Sequence, residues 1–135
     1  MPYTTAYESE FYRIEVDLEA NILRSAWLRQ IDEVEMKFGG RKLYEVLRDT
    51  GVERALSCGQ SIGVLSAASK DWLATDFYKM LSHTFLKKLA RVLPTTVFHR
   101  IALESVVTRA EALGLTNFMV KNFTNYEEAL AWLRA

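Results

Sequence analysis

With 135 residues, half of them hydrophobic and a quarter charged, the chain has room for one domain, 1–135, and not for two. Its 17 basic and 17 acidic residues cancel, which argues against nucleic acid or another polyanion as partner, because phosphate contacts need a local excess of Lys and Arg. A single cysteine excludes an internal disulfide and fits a reducing, cytoplasmic setting, and no apolar run approaches the ~18 residues of a membrane span.

Residues 1–9 read as a loosely held arm. Glu8 and Glu10 stand where a signal peptide would be apolar, so no leader is expected. From Tyr12, apolar residues alternate with charged ones (Tyr12, Ile14, Val16 and Leu18 against Arg13, Glu15 and Asp17), the period of a half-buried strand. Asp17 to Asn21 supplies turn chemistry, and residues 22–28 return as the second strand of an antiparallel hairpin. Asp32 with Glu35 matches a capping box, and the helix it opens runs to about Asp49 with Met36, Leu43, Tyr44 and Leu47 toward the sheet. Gly39-Gly40 inside it fits a close approach of helix to sheet, with a kink or a ligand contact as the alternative. Gly51 suits a left-handed cap.

Residues 52–58 read as the central strand, followed by a small-residue loop and a helix capped by Ser69, with Asp71 in its first turn. Leu73, Phe77, Met80 and Leu81 form its apolar stripe, and Trp72 and Tyr78 fall beside the stripe, partly exposed. A strand over 87–93 ends at Pro94. Its basic members Lys87, Lys88 and Arg91 read as a solvated element end. Thr95 or Thr96 caps a helix reaching Leu113, with Val97, Ile101, Val106, Ala110 and Leu113 inward and Gly114 ending it. A strand over 118–123, a capping box at Thr124 and Glu127, and a helix burying Tyr126, Ala129, Leu130 and Leu133 complete the chain. The order β-β-α-β-α-β-α-β-α implies an α/β domain: a mixed, mostly parallel sheet of about five strands with four helices.

The segments RIEVD and NILRSAWL, then IGVLSAASKDWL, then RVLP with VFHRIALESVVTRAEALG, and finally FTNYEEALAWL, in this order and spacing, resemble the STAS-like fold of anti-sigma-factor antagonists. They are most similar to the small stand-alone bacterial proteins of that fold. The resemblance implies a non-enzymatic domain that binds a protein partner or a small ligand. It also implies a phosphorylated serine at the start of the helix after the central strand, for which Ser61, Ser66 and Ser69 are the counterparts. The acidic residue that precedes this serine in the family is replaced by Gln60, Leu65 or Ala68, and Ser69 as a plain helix cap is the simpler reading. In topology alone the order also resembles lipid-carrying CRAL-TRIO domains.

Little in the chain points to chemistry. Cys58, at the end of the central strand, could be a nucleophile only with His83 or His99 as its base, and a lone cysteine there is more often a small buried hydrophobe. The two histidines have no second ligand at helical spacing, so no metal is expected. Glu33 with Glu35 and Glu127 with Glu128 suit helix first turns. CGQSIG lacks the Lys-Ser or Lys-Thr of a phosphate loop, and no cofactor is expected. Trp27, Trp72, Tyr78 and Phe85 are candidates for an aromatic groove. The reading reached is a regulatory module that docks a protein partner through 57–78, with Ser61, Ser66, Ser69, Trp72 and Tyr78 as contact or switch residues. A homodimer is compatible with it. The alternative is a small apolar, lipid-like ligand in a pocket between the second helix and the sheet, built on Cys58, Gly59, Gln60 and Phe77. A third is an enzyme centred on Cys58.

Overall fold

The computed structural model describes residues 3–135, and its backbone pairing joins 6 strands into one sheet in chain order. β1 (Thr4–Glu8), β2 (Tyr12–Asp17) and β3 (Ile22–Trp27) form an antiparallel meander. β4 (Arg54–Cys58), β5 (Lys88–Val92) and β6 (Met119–Phe123) then add in parallel to β3. The connections are α1 (Glu33–Thr50), α4 (Val97–Ala112) and, between β4 and β5, a helix in three parts: α2 (Ala67–Trp72), a π turn (Leu73–Phe77) and α3 (Tyr78–Leu81). The strand order steps one way, so right-handed crossovers bring all three connections onto one face. α5 (Tyr126–Arg134) follows β6 and packs on β4, β5 and β6, where Ala129 and Leu133 join Leu56, Ala90 and Val92 in a second, smaller core.

The hairpin forms where the alternation places it, except that Leu18, expected to continue the apolar face, falls in the turn and is exposed. Tyr12, Ile14 and Val16 are buried on the helix-bearing face. Asn21 takes the left-handed φ of 58° that its short amide tolerates. Its Oδ1 accepts from the Glu53 backbone N–H at 2.8 Å, which ties the turn to the start of β4. The Asp32 and Glu35 capping box closes the start of α1, and Gly51 ends it at φ 70°. The paired glycines of α1 are matters of packing. A Cβ on Gly39 would lie 2.6 Å from the Trp27 ring, and one on Gly40 would lie 2.6 Å from the Trp72 ring.

Several expectations need correction. Met1 and Pro2 lie outside the described residues, but the rest of the expected arm is largely the edge strand β1, so the sheet has six strands rather than five. Its residues are mostly exposed, Tyr7 alone being half-buried against the core, and a bulge between Thr5 and Tyr7 interrupts the pairing, so no alternation marks it. The helix after β4 begins at Ala67, two residues before its expected cap. Ser66 is the cap, and its Oγ accepts from the Ser69 N–H at 3.1 Å. The π turn inserts one residue into that helix, with the Tyr78 N–H bonded to the Leu73 carbonyl, and this rotates the following residues. Tyr78 therefore turns inward, 3 % exposed, and Met80 becomes only half-buried. α4 buries Leu103, Val106, Val107 and Ala110, whereas Val97, Ile101 and Leu113, expected inside, are exposed. This helix is apolar on both sides, and periodicity alone could not choose between them. Asn125, not Thr124, caps α5, accepting from the Glu128 N–H at 3.0 Å.

Candidate functional site

Side chains of a strand point alternately to the two faces of a sheet. In β4 this sends Ser57 to the helix-covered face and Cys58 to the other. In β5, Leu89, Arg91 and Leu93 share the helix-covered face, and the register aligns Ser25, Ser57, Arg91 and Asn122 across β3 to β6. A transverse polar row thus crosses the main core. Within it Arg91 Nη1 and Asn122 Oδ1 are buried with no hydrogen-bond partner, and Ser25 Oγ is buried beside the Tyr12 hydroxyl.

Arg91 is the exceptional member. It is 7 % exposed, and one of its nitrogens, Nη2, donates to the Leu103 carbonyl of α4 at 2.8 Å. None of the ion pairs among the described residues includes it. Arginine is rarely so buried without a paired charge, and a guanidinium keeps its proton in proteins.

Arg91 lines an internal cavity of about 50 Å³ between the sheet, α1, the π turn and α4, at the carboxyl ends of the parallel strands. Ligand sites of open α/β sheets gather at this end. The walls are apolar and aromatic, with Trp27 and Met36 on one side and Leu73, Phe77 and Leu103 on the other, and Arg91 is the one charged residue among them. Every lining residue except Ser57 is buried. Ile62, 3 % exposed, reaches the cavity from the loop after β4, where its N–H bonds the Gly59 carbonyl at 3.3 Å. The π turn contributes Leu73 and Phe77, and Tyr78 follows it directly; an inserted turn of this kind re-aims side chains and recurs at functional sites.

Two buried phenols border the same space. Tyr12, stacked on Trp27 with ring centroids 3.9 Å apart, has its pKa pushed well up by burial, with a smaller opposing effect from the Ser25 hydroxyl. Tyr78 is also raised, chiefly by burial; the Arg91 charge opposes this and Glu111 adds to it. Both hydroxyls therefore stay protonated, as donors, across the neutral range.

The structure brings together only part of the expected site. Gly59 and Phe77 line the cavity. Cys58 does not: it points through the opposite face into a surface groove with Arg13, Glu15, Arg24 and Tyr126, which no histidine lines. Its thiol lies 3.8 Å from Gln60 Oε1, and Gln60 is exposed. Trp72 and Tyr78, expected to be partly exposed, are 7 % and 3 % exposed, Trp72 stacking on Phe77 at 5.5 Å. Phe85 is exposed and Trp27 buried, so they share no groove. Of the three serines, Ser61 and Ser66 are exposed, whereas Ser69 is 2 % exposed, with its Oγ 3.1 Å from that of Ser66. Exposed apolar side chains of the region are instead Val64, on the loop, and Phe98, at the start of α4, both lining one small pocket of about 60 Å³. Among the described residues no group of three His, Cys, Asp or Glu is placed to hold a metal, and no helix is long and apolar enough to cross a membrane.

Arg91, Leu103, Ser25 and Asn122 escape a reading by motif. The signal for Arg91 is nonetheless in the sequence: it stands between Leu89 and Leu93 at period two, which marks an inward position for a charged residue.

No family model, curated protein or solved structure matches the chain.

Proposed function

We propose that the protein is a non-enzymatic binding module that takes a small, largely apolar ligand into the cavity beneath α1 and the π turn. The observation that carries this reading is the cavity itself: an apolar, aromatic-lined space at the carboxyl ends of the parallel strands, bordered by a π turn. The hairpin followed by three helical crossovers, with serines on the loop after the central strand, supports a STAS-like kinship. The single cysteine supports a cytoplasmic setting.

A 13C-methyl spectrum titrated with a panel of short alcohols, amides and carboxylates tests the reading. Saturable shifts confined to Met36, Leu43, Leu73 and Leu103 are expected. A panel that moves none of these methyls would refute it.

Docking of a protein partner through 57–78 is the second reading. Exposed Val64 and Phe98 favour it, because exposed apolar side chains gather at interfaces. A stable complex from cell extract that survives Val64→Asp and Phe98→Asp would count against that surface.

A further inference from the structure

We propose that the ligand of this cavity is a short-chain monocarboxylate, with Arg91 as the residue that meets its negative charge. The inference rests on the reading of the cavity as a ligand site and adds its chemistry.

The charge comes first. Arg91 is nine-tenths buried, lines the cavity and has one nitrogen, Nη1, without an acceptor. A neutral acceptor would satisfy the Nη1 N–H but would not neutralise a charge held in apolar surroundings. Only an anion does both. The side chains at the adjacent register positions, Ser57 and Asn122, are neutral, so the sheet supplies no counter-ion there. Tyr78 lines the same space, and its phenol is a hydrogen-bond donor of the kind that suits a carboxylate oxygen.

The number of charges and the size of the space narrow the class. One guanidinium balances one negative charge. A phosphate dianion would leave a net negative charge among Leu73, Phe77 and Leu103. The cavity of about 50 Å³ holds about three to five waters at ~10–15 Å³ each. A carboxylate of about five or six heavy atoms in all, head included, matches the upper end of that range, whereas a long acyl chain does not. The walls that would surround that chain are aliphatic and aromatic.

Isothermal titration calorimetry on the full chain tests this with sodium butyrate, butyramide, inorganic phosphate and octanoate as probes. Two variants accompany the wild type, each checked for folding by circular dichroism. Arg91→Met removes the charge at similar volume. Asn122→Asp places an internal carboxylate at the neighbouring register position, where it competes for Arg91. The expected result is one butyrate per chain, butyramide at least ten-fold weaker, and butyrate affinity lowered ten-fold or more in both variants, with butyramide unaffected by Arg91→Met. Equal affinity for butyrate and butyramide, unchanged in Arg91→Met, would overturn the anion inference and leave the cavity as a neutral-ligand site. Phosphate or octanoate binding more tightly than butyrate would overturn the short-chain monocarboxylate class. No heat with any probe on any variant, together with unmoved cavity methyls, would overturn the ligand reading itself.

Discussion

Replacing Arg91 by methionine should make the free protein more stable while removing its ligand. A buried ion without a partner retains a desolvation penalty of several kcal/mol, and Arg91, 7 % exposed and outside every ion pair of the described residues, is in that position. Against this stands the bond from Nη2 to the Leu103 carbonyl, a charge-assisted contact of about 1.5–3 kcal/mol. Leu103 lies inside α4, so its carbonyl keeps its helical bond when the guanidinium is gone. A methionine would also spread its flexible thioether over Leu73, Phe77 and Leu103. Buried charged groups exchanged for apolar ones of like volume give changes from neutral to about 1–4 kcal/mol stabilising. We expect a gain of about 1–3 kcal/mol, which at a urea slope of about 2 kcal/mol/M moves the midpoint up by roughly 0.5–1.5 M. Urea denaturation followed by tryptophan fluorescence reads this directly. Wild-type protein in saturating butyrate should recover part of the difference, since a ligand bound only to the folded state stabilises it. A loss of more than about 1 kcal/mol at unchanged slope would show that the fold already compensates the guanidinium, and the reason for expecting an anion there would fall.

Three further outcomes follow from the packing. Gly40→Ala gains about 1 kcal/mol of helix propensity, but its Cβ meets the buried Trp72 ring at 2.6 Å and Phe77 at 3.2 Å. Overpacking at about 1–3 kcal/mol outweighs the gain, so a thermal melt should show net destabilisation; a more stable variant would mean that these rings yield freely. Ser66→Ala removes the cap of α2 and should cost about 1 kcal/mol, with faster exchange of the Ser69 amide and recovery in Ser66→Asp; unchanged exchange would remove Ser66 from that role. Tyr12 and Tyr78 both have raised folded-state pKa values, so the folded state holds protons that the unfolded chain releases near pH 10. Their stabilisation is complete below that pH and is lost as pH rises above it, by up to about 1.4 kcal/mol per pH unit for each ring. Urea midpoints at pH 9 and 11 should fall less steeply in the Tyr12→Phe, Tyr78→Phe double variant, and equal slopes would contradict the burial of these phenols.

The sequence displays the elements whose signals are local. The alternation from Tyr12, the Asp32 and Glu35 box and Gly51 lie where their chemistry puts them. Gly39-Gly40 marks close packing, although the ring met by Gly40 is Trp72 of the neighbouring helix rather than a sheet residue. What escapes depends on neighbours. β1 owes its existence to pairing with β2, and its mostly exposed residues carry no period of their own. The π turn shifts the helical phase by one residue without a marker such as proline, and so reverses the expected positions of Tyr78 and Met80. α4 carries apolar residues on two faces, and only its packing against the π turn and α2 selects Leu103 and Val107 over Val97 and Ile101. Arg91 looks like one of a basic cluster, yet Lys87 and Lys88 lie before or at the start of β5 and Arg91 lies beyond its middle, facing the core. The placement of Cys58 fails for the simplest reason. It is adjacent to Ser57 in a strand, and adjacent residues cannot share a face.

The most direct measurement is an isotope-filtered NOE spectrum of the protein with 13C-labelled butyrate. Contacts from the butyrate methyl and methylene groups to Leu73, Phe77 and Leu103 are expected, and they should vanish in Arg91→Met. Contacts to the Cys58 groove or to Val64 and Phe98 instead, or no contacts at saturating butyrate, would contradict a ligand site built around Arg91.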